Sequence, residues 1–135
     1  MQTFLPYSSF EESAKCLDYK RLGKQRVEAS QILTALLFTK LGEKYGWQNH
    51  PAVKMWTGFE NALNYYRNCM IKEWISRGYN NTMKLGWVDK EIIYPSFIGN
   101  YAFHEAHRSN LLRKDPVFYG KYNWGVPDDL PYIWF

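Results

Sequence analysis

The sequence lacks most of the features that would place a chain outside the ordinary globular class. No apolar run approaches the ~18–20 residues that a membrane-spanning helix needs. The start Met1-Gln2-Thr3-Phe4-Leu5-Pro6 has neither the charged n-region nor the apolar h-region of a secretory signal. Only two cysteines occur, Cys16 and Cys69, with no Cys-x-x-Cys spacing and no Cys/His cluster. The expectation is therefore two reduced, buried thiols in an intracellular protein with no membrane association. The three histidines are equally sparing. In His104-Glu105-Ala106-His107 the pair is three positions apart, where the zinc-protease motif needs four, and no third ligand is evident. No metal site is expected; the pair reads as partly buried or phosphate-facing. There is no glycine-rich phosphate loop, nucleophile elbow or thiol-nucleophile site. Repeats, low-complexity tracts and linkers are also absent, so the 135 residues read as one domain, 1–135.

Rings and positive charge are what the sequence does have. Aromatic residues number 25 of 135, and the net charge is +4. Nucleic-acid binding asks for this combination, because cations neutralise phosphates and flat rings stack on bases. The alternative is that the rings fill a core and the charge keeps the chain soluble; composition does not choose between them.

The periodicity predicts an all-α fold of three to four packed helices with an ordered aromatic tail. Ser9-Phe10-Glu11-Glu12 matches a capping box, in which the serine oxygen caps the third helical N–H and Glu12 reaches back. It opens a short helix to about Leu17. A longer helix runs from about Lys20 to Lys40, with an apolar face of Val27, Ala29, Ile32, Leu33, Leu36 and Leu37. Residues 42–49 read as a loop. Pro51 suits the first turn of a long third helix whose stripe Trp56, Phe59, Leu63, Tyr66, Met70, Trp74 steps by three and four to a stop at Gly78. Residues 80–95 look irregular. A last helix covers about Asn100 to Lys114, stopped by Asp115-Pro116. The tail, with seven of the rings, reads as an ordered wrap.

The most informative segment runs from Leu17 to Glu28. Lys20, Arg21, Lys24 and Arg26 crowd together, and Arg21, Lys24 and Glu28 are spaced to share one helical face. One explanation is a weak Lys24–Glu28 ion pair, with the lysine first and so in the poorer order. The other is a catalytic carboxylate held among phosphate-binding cations. A second basic group, Arg108, Arg113, Lys114 and Lys121, lies beside Tyr119, Tyr122 and Trp124. Cations interleaved with rings suit a groove for single-stranded or extruded bases; a solvated helix end packed by the tail explains them equally well. His50, ahead of Pro51, sits where a cap or a core residue belongs.

Four segments taken in order resemble the pyrimidine-dimer DNA glycosylase (endonuclease V) family. They are Met1-Gln2-Thr3-Phe4, then Leu17-Asp18-x-Lys20-x-Leu22 leading to Val27-Glu28-Ala29. Gly46-Trp47-Gln48-Asn49-His50-Pro51 follows, with its helix to Arg77-Gly78-Tyr79. The fourth is His104-Glu105-Ala106 with Pro116-x-Phe118-Tyr119-Gly120-Lys121-Tyr122. The resemblance implies an α-amino nucleophile at Met1 and a catalytic carboxylate at Glu28. An α-amine titrates near ~8 and a lysine near ~10.4, so the α-amine holds far more of the neutral, nucleophilic form at neutral pH. With the large Gln2 next to it, Met1 is expected to be retained. In the family an arginine precedes the glutamate; Val27 stands there, with Arg26 one step back.

The resemblance further implies double-stranded DNA with a damaged or modified base as partner, no cofactor and no obligate protein partner. DNA contacts are expected at Lys20, Arg21, Lys24, Arg26, His50, His104, Arg108, Arg113, Lys114, Tyr119, Lys121 and Tyr122. The expected activity is a repair glycosylase with abasic-site lyase chemistry. The rival readings are a DNA-binding module that kept the fold without the chemistry, and a protein-interaction domain that uses the aromatic tail.

Overall fold

The computed structural model describes residues 1–135 and contains helices without strands. Four substantial helices follow in order: α1 (Phe10–Cys16), α2 (Tyr19–Lys40), α4 (Glu60–Ser76) and α5 (Tyr101–Lys114). Two short ones, α3 (Pro51–Lys54) and α6 (Pro116–Gly120), lie between and after them. No helix is long and apolar enough to cross a membrane.

The all-α class expected from the periodicity is what forms, with one helix divided in two and a short α6 inside the expected tail. The helix expected across 51–77 is split, because Gly58 takes φ +85, a left-handed conformation that ends a helix and costs glycine little. Trp56 and Leu63, on either side of the break, are both fully buried, so the apolar stripe survives while the backbone turns. Ser9 caps α1 through the Glu12 N–H at 3.1 Å. The reciprocal half of the box is absent: Glu12 lies 3.9 Å from Lys15 instead.

The centre of the molecule is α2 packed on α4, with α1 covering α4. Leu22, Ala29, Ile32 and Leu36 face the core from α2, while Leu63, Tyr66 and Met70 meet them from α4. The two helices approach closely at Gly23, where an added Cβ would sit 3.0 Å from the Trp74 ring. Cys16 and Cys69 are buried free thiols, and burial pushes both up to about 12.

The most unusual element is the first six residues. They run through the interior, with Thr3 and Leu5 fully buried, yet they join no helix or sheet. Buried backbone groups must find partners, and here side chains supply them. Gln25 accepts from the Phe4 N–H at 2.9 Å, and Tyr66 donates to the Phe4 carbonyl at 2.8 Å. His107 Nδ1 accepts from the Leu5 N–H at 2.8 Å. His104 Nε2 accepts from the Gly99 N–H at 2.9 Å, so its proton sits on Nδ1 and donates to the Leu5 carbonyl at 2.7 Å. Arg108 donates to the Pro6 carbonyl at 2.7 Å.

The tail is ordered, as its composition implied. The Leu130 N–H donates to Ser109 Oγ at 3.0 Å, and Phe135 packs against Phe97 and Phe103 at centroid distances of 5.6 and 5.7 Å.

Candidate active site

The N-terminal segment surfaces at Met1, in a cleft of about 410 Å³. One wall is the α2 face, carrying Lys20, Arg21, Lys24 and Glu28 with Gln25 behind them. The other is formed by Met1, Gln2 and Phe4, by His50 ahead of α3, by Lys114 at the end of α5, and by Tyr132 and Trp134 of the tail. Lys20, Arg21 and Lys114 also edge a neighbouring concavity of about 600 Å³ with Tyr19, Tyr79 and Phe118, so the cationic rim serves both.

Glu28 is half-buried and makes no ion pair with Lys24; the ion pairs of the molecule are Lys15–Glu12, Arg21–Asp18 and Arg77–Glu73. Its partner is Gln25, whose Nε2 donates to Glu28 Oε2 at 2.8 Å and to the Gln2 carbonyl at 2.9 Å. His50 caps α3 by accepting from the Ala52 N–H at 3.0 Å. Its basicity is lowered, first by burial and then by the positive charge of the Met1 amine. Arg21 is aimed by Asp18, 3.2 Å away. Burial alone raises the Asp18 carboxyl, but the Tyr119 hydroxyl and Arg21 outweigh it and hold the group below its usual value.

The residues expected to touch DNA divide. Lys20, Arg21, Lys24, His50 and Lys114 share the cleft with Met1 and Glu28. His104 and Tyr119 do not fit that expectation, because they are 4% and 0% exposed. His104 holds the Leu5 carbonyl, and Tyr119 fixes the residue ahead of α2 by accepting from the Asp18 N–H at 3.0 Å and donating to the Asp18 carboxylate. Arg26 lies over the Trp74 ring at 4.2 Å and donates to Asn81. Arg108 lies over Tyr7 at 5.2 Å, and Arg113 donates to the Asp128 carbonyl at 3.2 Å. Lys121 sits over Phe118 at 3.9 Å, and Tyr122 donates to the Cys16 carbonyl at 2.9 Å. All five make contacts within the fold, Arg113 and Lys121 while remaining exposed, and none of them lines the cleft.

Sequence reasoning missed Gln25, Tyr132 and Trp134. Gln25 had a signal: it is the polar member of the buried series Leu22, Gln25, Ala29, Ile32, Leu36, where an amide belongs only if something needs it. Tyr132 and Trp134 lie with ring centroids 5.6 Å apart, but nothing local in the sequence says that the tail returns to Met1. No group of three or more His, Cys, Asp or Glu side chains gathers as a metal site.

A basic cleft lined by an amine, a carboxylate and two rings has the composition of a nucleic-acid site, and a family comparison bears on the same residues. The model of pyrimidine dimer DNA glycosylases matches residues 1–86, well over half of the chain. The protein belongs to the pyrimidine dimer DNA glycosylase family. It is thus a DNA-repair glycosylase, with pyrimidine-dimer DNA as its substrate class. Among curated proteins and solved structures nothing matches. The matched span of this glycosylase holds Met1, the whole α2 wall and His50. Lys114, Tyr132 and Trp134 complete the cleft from outside it.

Proposed function

We propose that this glycosylase works through the α-amino group of Met1, forms an imine with the damaged nucleotide and nicks the strand as an abasic-site lyase. The observation that carries the reading is that Met1 and Glu28 line one cationic cleft, joined through a single buried amide. The neutral amine attacks C1′. The C1′–N bond breaks and its electron pair leaves with the base; the amine gives up a proton, and the C1′–O4′ bond then opens, O4′ taking a proton, to leave a ring-opened iminium on C1′. Glu28 stabilises that cation and moves protons. Loss of the C2′ proton then expels the 3′ phosphate oxygen, and water hydrolyses the imine to restore the amine. Lys20, Arg21, Lys24 and Lys114 hold the flanking phosphates, and Tyr132 and Trp134 offer faces to bases that the extruded nucleotide leaves unstacked. Residues 87–135 complete the same domain, and the enzyme acts on DNA inside the cell without a cofactor.

Borohydride reduction of a reaction with dimer-containing or abasic duplex should trap a covalent adduct at Met1. Glu28→Gln should lower nicking by about 10²–10⁴-fold while DNA is still bound. Absence of an adduct with either duplex, or full activity in the Gln variant, refutes the reading. DNA affinity without nicking would instead mark a binding module.

A further inference from the structure

Gln25 occupies a place on α2 where hydrophobic side chains belong. It is 1% exposed, and every polar atom of its amide is used. Oε1 accepts from the Phe4 N–H at 2.9 Å and lies against the Tyr66 hydroxyl. Nε2 donates to the Gln2 carbonyl at 2.9 Å and to Glu28 Oε2 at 2.8 Å. The orientation of the amide is not free. The Phe4 N–H demands an acceptor and the Gln2 carbonyl demands a donor, so turning the amide over would set donor against donor and acceptor against acceptor. With Oε1 and one Nε2 proton committed to the N-terminal segment, the second Nε2 proton is delivered to Glu28. The other Glu28 oxygen makes no hydrogen bond to protein and is left for the cleft.

We propose that Gln25 is the positioning residue of this site: one amide sets the N-terminal segment on α2 and orients the Glu28 carboxylate relative to the Met1 amine. The assignment rests on the amine-and-carboxylate reading above. It explains why an amide is needed. A hydrophobic residue would strand the Phe4 N–H and the Gln2 carbonyl, each an expensive loss in the interior. Asparagine is too short to span both, and a glutamate would offer Glu28 a second acceptor. Facing the pair are Lys20, Arg21 and Lys24 on α2, Tyr66 on α4, Lys114 on α5, Tyr132 of the tail, and Met1 and His50 across the cleft.

The test compares wild-type protein with Gln25→Met and Gln25→Glu in single-turnover nicking of an abasic duplex with borohydride trapping. Affinity is measured on a duplex carrying a tetrahydrofuran abasic analogue, which forms no imine. Gln25→Met should lower the single-turnover rate by about 10²-fold, the scale of misplaced catalytic groups, with affinity for the analogue duplex kept within about twofold. In Gln25→Glu two carboxylates meet and share a proton as the pH falls. That proton restores a donor to Glu28, so the ratio of variant to wild-type rate should climb between about pH 8 and about pH 5.5. A methionine variant that keeps its rate, or loses rate and affinity in parallel, overturns the assignment. So does a glutamate variant whose ratio is flat with pH, and this arm decides if the methionine variant fails to fold. Wild-type protein that traps no adduct takes the amine reading down, and this assignment with it. Wild-type and variants that trap alike remove only Gln25.

Discussion

The two basic segments of this glycosylase look alike in sequence and are used in opposite ways. In residues 20–26 three of four cations, Lys20, Arg21 and Lys24, line the cleft that holds Met1 and Glu28. In residues 108–121 only Lys114 does. Arg108 and Arg113 bind backbone carbonyls of the N-terminal segment and the tail, and Lys121 lies on aromatic faces. The difference follows from what each helix has beside it. The start of α2 borders the open cleft, whereas α5 packs against two long irregular segments whose carbonyls have no ladder to join. A charge count therefore overstates the surface offered to DNA: cations that face a concavity are free to meet phosphate, and cations recruited by orphan carbonyls hold the chain.

The strongest test of that division is removal of the cleft cations together. Lys20→Ala, Lys24→Ala and Lys114→Ala combined should weaken duplex binding by about 10²–10³-fold near 0.1 M salt. The slope of log affinity against log salt should flatten by about 2.7, at roughly 0.9 per phosphate contact. Thermal stability should hardly change, since none of the three forms an ion pair. Titrations of duplex DNA across a salt series would check it. An unchanged slope would mean that the phosphates are bound elsewhere.

How much of this was legible from the residues depends on the range of the interaction that decided it. The shared face of Arg21, Lys24 and Glu28 is set by helical spacing alone, and it is the face that lines the cleft. The all-α class and the capped start of α1 are local for the same reason. The break at Gly58 was hidden because Trp56 and Leu63 keep the apolar stripe in register across it. The roles of His104, His107 and Tyr119 had no local sign. Their partners, Leu5 and Asp18, lie about a hundred residues away in sequence, and no periodicity reports such a pairing. Tyr132 and Trp134 are brought back to the cleft by contacts distant in sequence, among them Ser109 and Asn110 anchoring Leu130.

A second test breaks the comparison from the other side. Arg108→Met keeps the aliphatic stem but removes the charged donor to the Pro6 carbonyl and the cation over Tyr7. Losing a hydrogen bond from a charged group costs about 1.5–3 kcal/mol. Urea unfolding should show that loss, while the salt slope of DNA binding stays at the wild-type value. A shallower slope with intact stability would place Arg108 among the phosphate contacts and remove the distinction between the segments.

The smallest effect separates them by pH. His107 is almost wholly enclosed, and burial, helped by nearby His104, pushes it down to about 3; His104 is lowered too, chiefly by burial. Both serve the Leu5 peptide as neutral rings, and a proton on His107 Nδ1 would point at the Leu5 N–H it now accepts from. The native state therefore binds fewer protons than the unfolded chain below the ordinary histidine value of 6.5. Stability is full above that value and falls as the pH drops toward 3, with His107 alone costing about 2 kcal/mol by pH 5. His50, lowered in the same direction, adds to the slope. His107→Asn, whose side-chain oxygen can accept from the same N–H, should unfold with about one proton less of pH dependence. Urea midpoints at about pH 8 and pH 5 measure both slopes. Stability that is level across that range would mean the second segment does not clamp the N-terminal residues as neutral rings, and that something other than α5 holds Met1 in its cleft.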